Sequence, residues 1–454
     1  MNTRSYHIIT FGCQMNESDS EKMEGIMESL GYTGAEVAEE ADVILINTCC
    51  VRETAENKVF GLLGRLRKIK EKKPGLIIGI GGCMTQVEET AAHIKKRYPY
   101  VNFVFGTGSM HLLPEYLDHA LRNEKTLVSC RTPEGIYEGV PIKRQDGLKA
   151  WIPVMYGCNN FCTYCIVPHV RGRERSRSPE DIIKEVEELV SNGYKEVTLL
   201  GQNVNSYGND TGRGYGFGDL LLDLNKTNGL LRIRFMTSHP KDFKISLIEK
   251  IKSADKVCEH FHIPVQSGSD SILKAMNRGY DRKYYLSLIS SIRGNIAGAS
   301  ITSDIMVGFP GETEEDFNDT MDVVERVGYD SVYTFVYNIR TGTPAEKMAG
   351  QVPEEVKTRR IEALIKRQNE ITVKRNMEEL GNVHQVLVEG PSKADRDMLT
   401  GRTRTNKLVI FPGKGHKKGE LVYIKIIGGT LTHLKGEEDK GNICPCGDKN
   451  NTEV

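Results

Sequence analysis

Nowhere in this chain of 454 residues do apolar residues run for the roughly 18 positions needed to cross a bilayer. The N-terminal stretch Met1 to Cys13 also lacks the long apolar core of a secretion signal. Both absences lead to the expectation of a soluble protein that works in the cytoplasm, with no membrane partner. An excess of one charge is missing as well, since 61 Lys and Arg balance 61 Asp and Glu. Any grip on nucleic acid must then come from a local patch rather than from the chain as a whole. A composition of 39% hydrophobic and 27% charged residues excludes a wholly disordered chain, and the length suits roughly two to four domains.

Cysteine, by contrast, is plentiful, with 11 in the chain. Structural disulfides rarely persist in a reducing compartment, so this number calls for metal or cluster chemistry or for plain core packing. Spacing decides between them. The first 130 residues repeat one unit, an apolar run followed by a polar stretch of helical period. The apolar runs are Tyr6–Phe11, Val43–Ile46, Leu76–Ile80 and Asn102–Phe105, and the helical stretches are Glu17–Leu30, Glu53–Lys70 and Gln86–Arg97. Nearly all-apolar strands alternating with helices predict a parallel sheet covered on both faces. Asn16 and Ser18 are expected to cap the first helix and Gly31 to end it.

Cys13, Cys49 and Cys83 each stand just past the carboxyl end of one of these strands. Ligands of an open α/β sheet bind at that edge, so three cysteines far apart in sequence are expected to share one site. Buried free cysteine used for packing is the bland alternative. Cys50 is expected to point elsewhere by strand alternation. The first turn, Cys13-Gln-Met-Asn16-Glu, is not glycine-rich, which speaks against a phosphate-cradling electron carrier.

After a Gly/Lys-rich connector near Arg144–Lys149, six more strand candidates recur at Ile152–Tyr156, Glu196–Gly201, Arg232–Thr237, Phe261–Val265, Thr302–Val307 and Val332–Tyr337. Helical stretches include Pro179–Ser191, Ser246–Ser253, Glu314–Val327 and Glu354–Met377. Six β/α units predict a partial (β/α)6 barrel with function at the strands' carboxyl ends. The first of these strands runs straight into Cys158-x-x-x-Cys162-x-x-Cys165. Three thiolates in a compact loop suit an iron–sulfur cluster with one iron left open, whereas His169 would complete a Cys3His set for structural zinc.

Cys158-Asn-Asn-Phe-Cys162-Thr-Tyr164-Cys165 resembles the radical S-adenosylmethionine (SAM) signature, with an aromatic just before the third cysteine. The resemblance implies a 4Fe-4S cluster on these cysteines whose open iron chelates SAM and cleaves it to a 5′-deoxyadenosyl radical. Polar residues at the other strand ends fit a cofactor rim of that kind: Gln202 and Asn203, Ser238, Gln266, Asp304, Gly308 and Arg340. Gln202, Ser238, Gln266 and Asp304 are expected to touch cofactor or substrate. Taken singly, a stretch such as Gly308–Thr313 reads equally as a turn with a helix cap.

Residues 380–435 carry ten Lys and Arg against four Asp and Glu, the asymmetry the whole chain lacks. Strand-like runs at Gln385–Val388, Lys407–Phe411 and Leu421–Ile426 predict a small β-barrel. Its Arg402, Arg404 and Lys407, with Lys414, Lys417 and Lys418, are expected to grip a phosphate backbone, unless they form only a solvated basic surface. The run Leu399-Thr-Gly-Arg402-Thr-Arg404-Thr-Asn406 resembles the TRAM domain of RNA-modifying enzymes. A second basic run, Arg171 to Arg177, either holds substrate phosphates or pairs with acids of the next helix. Cys444 and Cys446, in a polar tail, read as incidental.

The order of parts resembles the radical SAM methylthiotransferase family over nearly the whole chain. The expected layout is an α/β fold in three parts: a flavodoxin-like parallel-sheet domain over 1–145, a radical SAM partial barrel over 146–376 and a small TRAM β-barrel over 377–438, followed by a tail over 439–454. Phe11-Gly-Cys13-Gln-Met-Asn16-Glu-Ser-Asp19-Ser-Glu21 is most similar to the MiaB-type branch, as is Asn47-Thr-Cys49-Cys-Val-Arg52-Glu53, although Cys50 departs from the usual serine. The resemblance implies a second 4Fe-4S cluster on Cys13, Cys49 and Cys83 and transfer of a methylthio group to C2 of N6-isopentenyladenosine at tRNA position 37. One SAM would methylate a sulfur carried on the second cluster and another would supply the radical. Implied partners are the tRNA anticodon stem-loop, a reducing electron donor and a sulfur donor, with a monomer compatible with the layout. Alternatives are methylthiolation of threonylcarbamoyladenosine in tRNA or of a ribosomal protein aspartate, and a non-catalytic zinc-stabilised RNA-binding protein.

Overall fold

A computed structural model describes residues 4–50, 53–122, 125–413 and 415–439, with the side chains of 53–55 left aside. Arg52, Lys414, Cys444, Cys446 and the tail beyond 439 lie outside the described residues. The chain divides into two compact units, the first made of 1–185, 199–215 and 338–346 and the second of 186–198, 216–337 and 347–454.

The first unit opens with β1 (Ser5–Thr10), α1 (Gln14–Ser29), β2 (Thr33–Gly34), β3 (Val43–Thr48), α2 (Glu53–Lys72), β4 (Ile77–Gly82), α3 (Glu88–Arg97), β5 (Phe103–Gly106), α4 (Leu113–Leu121) and β6 (Leu127–Ser129). The six strands form one parallel sheet in the order β2-β1-β3-β4-β5-β6. Alternation sends Val43 and Leu45 to a core with Met23, Ile26, Phe103, Tyr116 and Leu117. Ile44 and Ile46 go to the opposite face, against Val59, Leu63, Leu66 and Ile94. Both faces are therefore covered, as the all-apolar strands predict. The strand order is the flavodoxin-like one, and its switch point falls between β1 and β3. The expected caps differ from those observed. Cys13 is the N-cap residue of α1 and makes no side-chain cap bond, while Asn16 and Ser18 lie inside the helix and are buried. Gly31 follows the helix end at φ +82°, consistent with its stopping role.

The same unit holds β7 (Lys149–Pro153), β8 (Met155–Tyr156), α5 (Val167–Val170) and β9 (Arg175–Ser176). Strand β8 pairs antiparallel with β9, so the Cys158–Cys165 loop is closed at its base by a short hairpin. Helix α6 (Pro179–Ser191) and strand β10 (Glu196–Leu200) lead out of the first unit and back into it.

In the second unit α7 (Phe217–Asn225), β11 (Arg232–Phe235), α8 (Ile245–Lys252), β12 (His260–His262), α9 (Asp270–Ala275), α10 (Arg282–Asn295), β13 (Ser300–Val307), α11 (Glu314–Val327), β14 (Ser331–Val336) and α12 (Glu354–Met377) continue the strand–helix alternation. Strands β12, β13 and β14 are parallel neighbours. The strand expected over Phe261–Val265 starts earlier and stops at His262. Pro264 lacks a ladder donor, and Gln266, at φ +69°, rejoins only through an isolated bridge to Ile305. Five strands, β15 (Val383–Pro391), β16 (Met398–Thr403), β17 (Leu408–Pro412), β18 (Leu421–Gly429) and β19 (Leu434–Glu438), close into a small barrel around Val386, Val409, Phe411 and Ile424.

Candidate active site

Local chemistry explains how three separate strands bring their cysteines to one edge. Gly12, at φ +145°, allows the chain to turn straight from β1 into α1, and a Cβ there would meet Asn16 Oδ1 at 2.4 Å. The freed Asn16 side chain donates to Asn47 Oδ1 and to the Thr48 carbonyl, both at 3.1 Å. Asn47 Nδ2 donates in return to the Asn16 carbonyl at 2.8 Å and to Ser20 Oγ at 2.9 Å. Thr48 Oγ1 then donates to the Gly81 carbonyl at 2.6 Å, and the Cys83 amide donates to the Thr48 carbonyl at 2.9 Å. The ends of β1, β3 and β4 are thus stitched together by buried polar groups with their partners supplied. Cys13 is exposed there, whereas Cys49 and Cys83 are buried.

Electrostatics single out Cys83. A hydrogen bond from the Cys50 thiol and the nearby Arg171 cation outweigh the opposing effect of burial and bring the Cys83 thiol down to about 6. The same bond, with burial, pushes the Cys50 thiol up. Cys50 therefore does not point away from the site as alternation suggested. Strand β3 ends at Thr48, and the period of two no longer governs the residues beyond it. Arg171 is buried, donates from Nε to Cys83 Sγ at 3.2 Å and pairs through Nη2 with Asp19 Oδ2 at 2.8 Å.

The second cysteine set sits on the hairpin loop. Gly157, at φ +77°, lies so close to Arg173 that a Cβ would meet its carbonyl at 2.0 Å. The Cys158 amide donates to the Gly172 carbonyl at 3.2 Å and the Cys165 amide to the Cys162 carbonyl at 2.9 Å. Cys162 is buried, Cys158 and Cys165 are half-buried, and burial pushes the Cys158 thiol up. Arg173 stacks 4.3 Å over the Phe161 ring. The segment after the loop docks on the N-terminal sheet. Ile166 and Val170 join the core beside Ile80 and Val104, and Thr107 Oγ1 donates to the Val170 carbonyl at 2.5 Å.

Both donor sets suit a multi-iron cluster, in which each thiolate takes its own iron and one iron stays open. A closed zinc site needs four ligands around one ion. Among the described residues, no three His, Cys, Asp or Glu side chains are arranged to hold a single ion. His169, the candidate fourth zinc ligand, lies instead edge-on to Phe161 at 6.5 Å.

Of the remaining rim candidates, Tyr164, Gln202, Asn203 and Arg340 belong to the first unit. Gln202 Oε1 is buried with no partner, which suits an interaction still to be made by a ligand. Asn203 is buried, Tyr164 is half-buried, and Arg340 pairs with Glu56 at 2.6 Å. Ser238, Gln266, Asp304 and Gly308 belong to the second unit. Ser238 Oγ is another buried orphan. The Gln266 carbonyl accepts from the Met306 amide at 2.8 Å, and the Gln266 amide donates to the Asp304 carbonyl at 2.9 Å. The Asp304 carboxylate lies 3.4 Å from His262 Nε2. Gly308 donates its amide to Glu312 at 2.6 Å, and Glu312 in turn is held by buried Arg360 at 2.8 Å. His262, which was not singled out from sequence, stands with Thr302 and Asp304 on one face of the β12–β13 pair. The alternation His260-x-His262, which the register sets opposite Ser300-x-Thr302, is the signal that could have marked it.

The basic residues are less free than expected. The Lys407 side chain is only 9% exposed, and its Nζ lies 2.9 Å from Asp330 Oδ1 and from Asn376 Oδ1. Arg404 forks onto Glu259 at 2.7 to 3.0 Å, and Arg232 and Arg234 donate to the carbonyls of Arg402, Thr403 and Arg404. Arg402 donates to the Asn406 carbonyl at 3.0 Å and lies 3.3 Å from Glu389. The strand-end run 402–407 thus holds its own unit together, because each cation has an internal acceptor within reach. Lys393, Arg396, Lys417, Lys425 and Lys435 are exposed on the barrel instead. In the run after the cysteine loop, Arg177 pairs with Glu185 of α6 and with Glu138, both at 2.7 Å. The pairing alternative therefore describes Arg177, whereas Arg171 pairs with Asp19 of α1 instead of the next helix.

Residues 152–324 match the Radical SAM superfamily, residues 5–106 match a family described as Uncharacterized protein family UPF0004, and residues 378–437 match the TRAM domain. The chain is 58% identical over 437 residues to the tRNA-2-methylthio-N(6)-dimethylallyladenosine synthase of Desulforamulus reducens, across 96% of each protein. It is 55% identical to the protein of the same name from Carboxydothermus hydrogenoformans, across 96% of this chain and 99% of that one. Among solved structures, the radical SAM methyltransferase TsrM from Kitasatospora setae, with cobalamin and a 4Fe-4S cluster bound, aligns at a TM-score of 0.55. That alignment spans 76% of this chain and 77% of that one at 13% identity, a likeness of fold alone.

Proposed function

The chain belongs to the tRNA-2-methylthio-N(6)-dimethylallyladenosine synthase family of radical SAM enzymes, and on that premise we propose how its own residues divide the work. It is a methylthiotransferase that acts on tRNA and uses SAM and two 4Fe-4S clusters. Dimethylallyl and isopentenyl name the same five-carbon group on N6 of the adenine. When bound, these cofactors supply one-electron chemistry, a methyl group and a transferable sulfur, which is what replacing an unactivated adenine C2–H requires.

Cys158, Cys162 and Cys165 are assigned to the SAM-cleaving cluster and Cys13, Cys49 and Cys83 to the auxiliary one. One observation carries this assignment: three parallel strand ends, sewn together through Asn16, Asn47 and Thr48, bring Cys13, Cys49 and Cys83 to one edge of the sheet. Tyr164, Gln202, Asn203, Ser238, Gln266, Asp304, Gly308 and Arg340 are assigned to cofactor and substrate binding, with the orphaned Gln202 Oε1 and Ser238 Oγ as polar atoms in need of a partner. The division into domains over 1–145, 146–376 and 377–438 is part of the same reading. The substrate segment is assigned as the anticodon stem-loop, gripped through exposed barrel cations such as Lys417 and Lys425 rather than through Arg404 and Lys407. An electron donor and a sulfur donor complete the cycle, and the working form is assigned as a cytoplasmic monomer. No helix among the described residues is long and apolar enough to cross a membrane.

Anaerobic purification followed by iron, sulfide and zinc analysis tests the assignment. About eight irons with matching sulfide are expected, falling to about four in Cys83→Ala. Zinc in place of iron would overturn it. Nucleoside analysis of tRNA from a cell carrying only this enzyme is expected to show the 2-methylthio product on isopentenyladenosine. The product on threonylcarbamoyladenosine, or a modified ribosomal aspartate, would move the substrate assignment to those alternatives.

A further inference from the structure

Arg171 lies six residues beyond the last cysteine of the SAM loop, yet its side chain serves the other cysteine set. It caps α5, with its amide donating to the Val167 carbonyl at 2.8 Å, and turns its guanidinium inward beneath the sheet edge. There Nε points at Cys83 Sγ at 3.2 Å while Nη2 holds Asp19 Oδ2 at 2.8 Å. The side chains of Arg171 and Asp19 are 7% and 9% exposed, so the pair sits where charges interact strongly. A buried ion pair of this kind is rarely a source of net stability, and the strand ends are already joined through Asn16, Asn47 and Thr48 without it.

We infer that Arg171 is a positioning residue that sets the reduction potential of the auxiliary cluster through its N–H···S bond to Cys83, with Asp19 fixing and partly offsetting its charge. The inference rests on the assignment of Cys83 to that cluster. An N–H donor and a positive charge at a ligating sulfur withdraw electron density and favour the reduced state, which raises the potential. The bond also ties the loop that carries Cys158 to Cys165 to the auxiliary ligand set, since Ile166 and Val170 pack beneath the same strand ends.

The test uses the full-length chain in a Cys158→Ala, Cys162→Ala, Cys165→Ala background, so that only the auxiliary cluster contributes, with iron counted and the potential read by an EPR-monitored redox titration. About four irons are expected in the background protein; none would overturn the cysteine assignment and the inference together. With the background intact, Arg171→Gln is expected to lower the midpoint potential and Asp19→Asn to raise it, while Arg171→Lys falls between Arg171→Gln and the parent. Opposite signs separate charge tuning from general damage, which would move both variants alike. If Arg171→Gln loses its iron, Asp19→Asn decides: an upward shift with iron retained supports the inference. An unchanged potential in iron-loaded variants, or shifts of the same sign, overturns it.

Discussion

Asn16 and Asn47 clasp each other across the switch point of the N-terminal sheet: each amide group donates to the other residue, at 3.1 and 2.8 Å, and both side chains are fully buried. The pair fixes the spacing between the turn that bears Cys13 and the strand end that bears Cys49. Replacing Asn47 by Ala leaves the Asn16 amide and the Ser20 hydroxyl short of partners, at about 1–3 kcal/mol per unsatisfied buried group. The expected result is a folded protein of lower melting temperature that binds about half the wild-type iron. Asn47→Asp is expected to do worse, because it places an unpaired carboxylate in the same dry space. Thermal melts and iron analysis on the two variants check both statements.

Gly82 is the second fixed point. Its φ is +110°, and a Cβ there would meet the Thr48 carbonyl oxygen at 2.3 Å. Neither problem is relieved cheaply, since the obstacle is backbone and the conformation disfavours any side chain. Gly82→Ala is expected to push the end of β4 away from β3, carrying Cys83 out of register with Cys49. Loss of auxiliary iron with the SAM-loop iron retained is the expected reading. Full iron occupancy in Gly82→Ala would show that the close approach does not govern the site.

Much of this was legible in the chain itself. Strand–helix alternation with apolar β-runs announced the doubly covered sheet, and α6, α11 and α12 begin and end where pattern and caps placed them. What escaped depended on partners distant in sequence. Asn16 and Ser18 look like helix caps because capping is a local signal, and only the proximity of Asn47 explains why Asn16 is spent elsewhere. Strands β16 and β19 were missed because Gly and charged residues interrupt them, Gly401 and Arg402 in one, Gly436, Glu437 and Glu438 in the other. Barrel closure makes them strands all the same. The basic run 402–407 carries no mark in sequence that Asp330 and Glu259 will neutralise it.

Cys50 offers a choice that sequence left open. Its thiol is hydrogen-bonded to the Cys83 sulfur, which suits a neighbour that supports that ligand. Cys50→Ser keeps a hydroxyl donor for the Cys83 sulfur, so full iron content is expected, whereas Cys49→Ser is expected to lose the auxiliary cluster. If the two variants behave the other way round, Cys50 is the ligand and Cys49 its neighbour.

Lys407 and the exposed barrel lysines separate holding the fold from holding RNA. Lys407→Met removes one half of a buried pair with Asp330, whose side chains are 9% and 7% exposed. Asp330 would keep the Ile301 amide at 2.9 Å and Arg375 at 3.8 Å but lose its closest cation, and breaking a buried pair costs up to about 3–5 kcal/mol, so the variant is expected to melt earlier. Its tRNA affinity, measured below that melt, is expected to stay within a few-fold of wild type. Lys417, Lys425 and Lys435 are exposed, and converting all three to Gln is expected to leave the melt unchanged. Removing a cation that neutralises a phosphate reduces the slope of log affinity against log salt by about one. The triple variant is therefore expected to bind tRNA more weakly at low salt and to show a flatter salt dependence. An unchanged slope would place the phosphate grip on another surface, whereas a large affinity loss in Lys407→Met alone would return it to the 402–407 run.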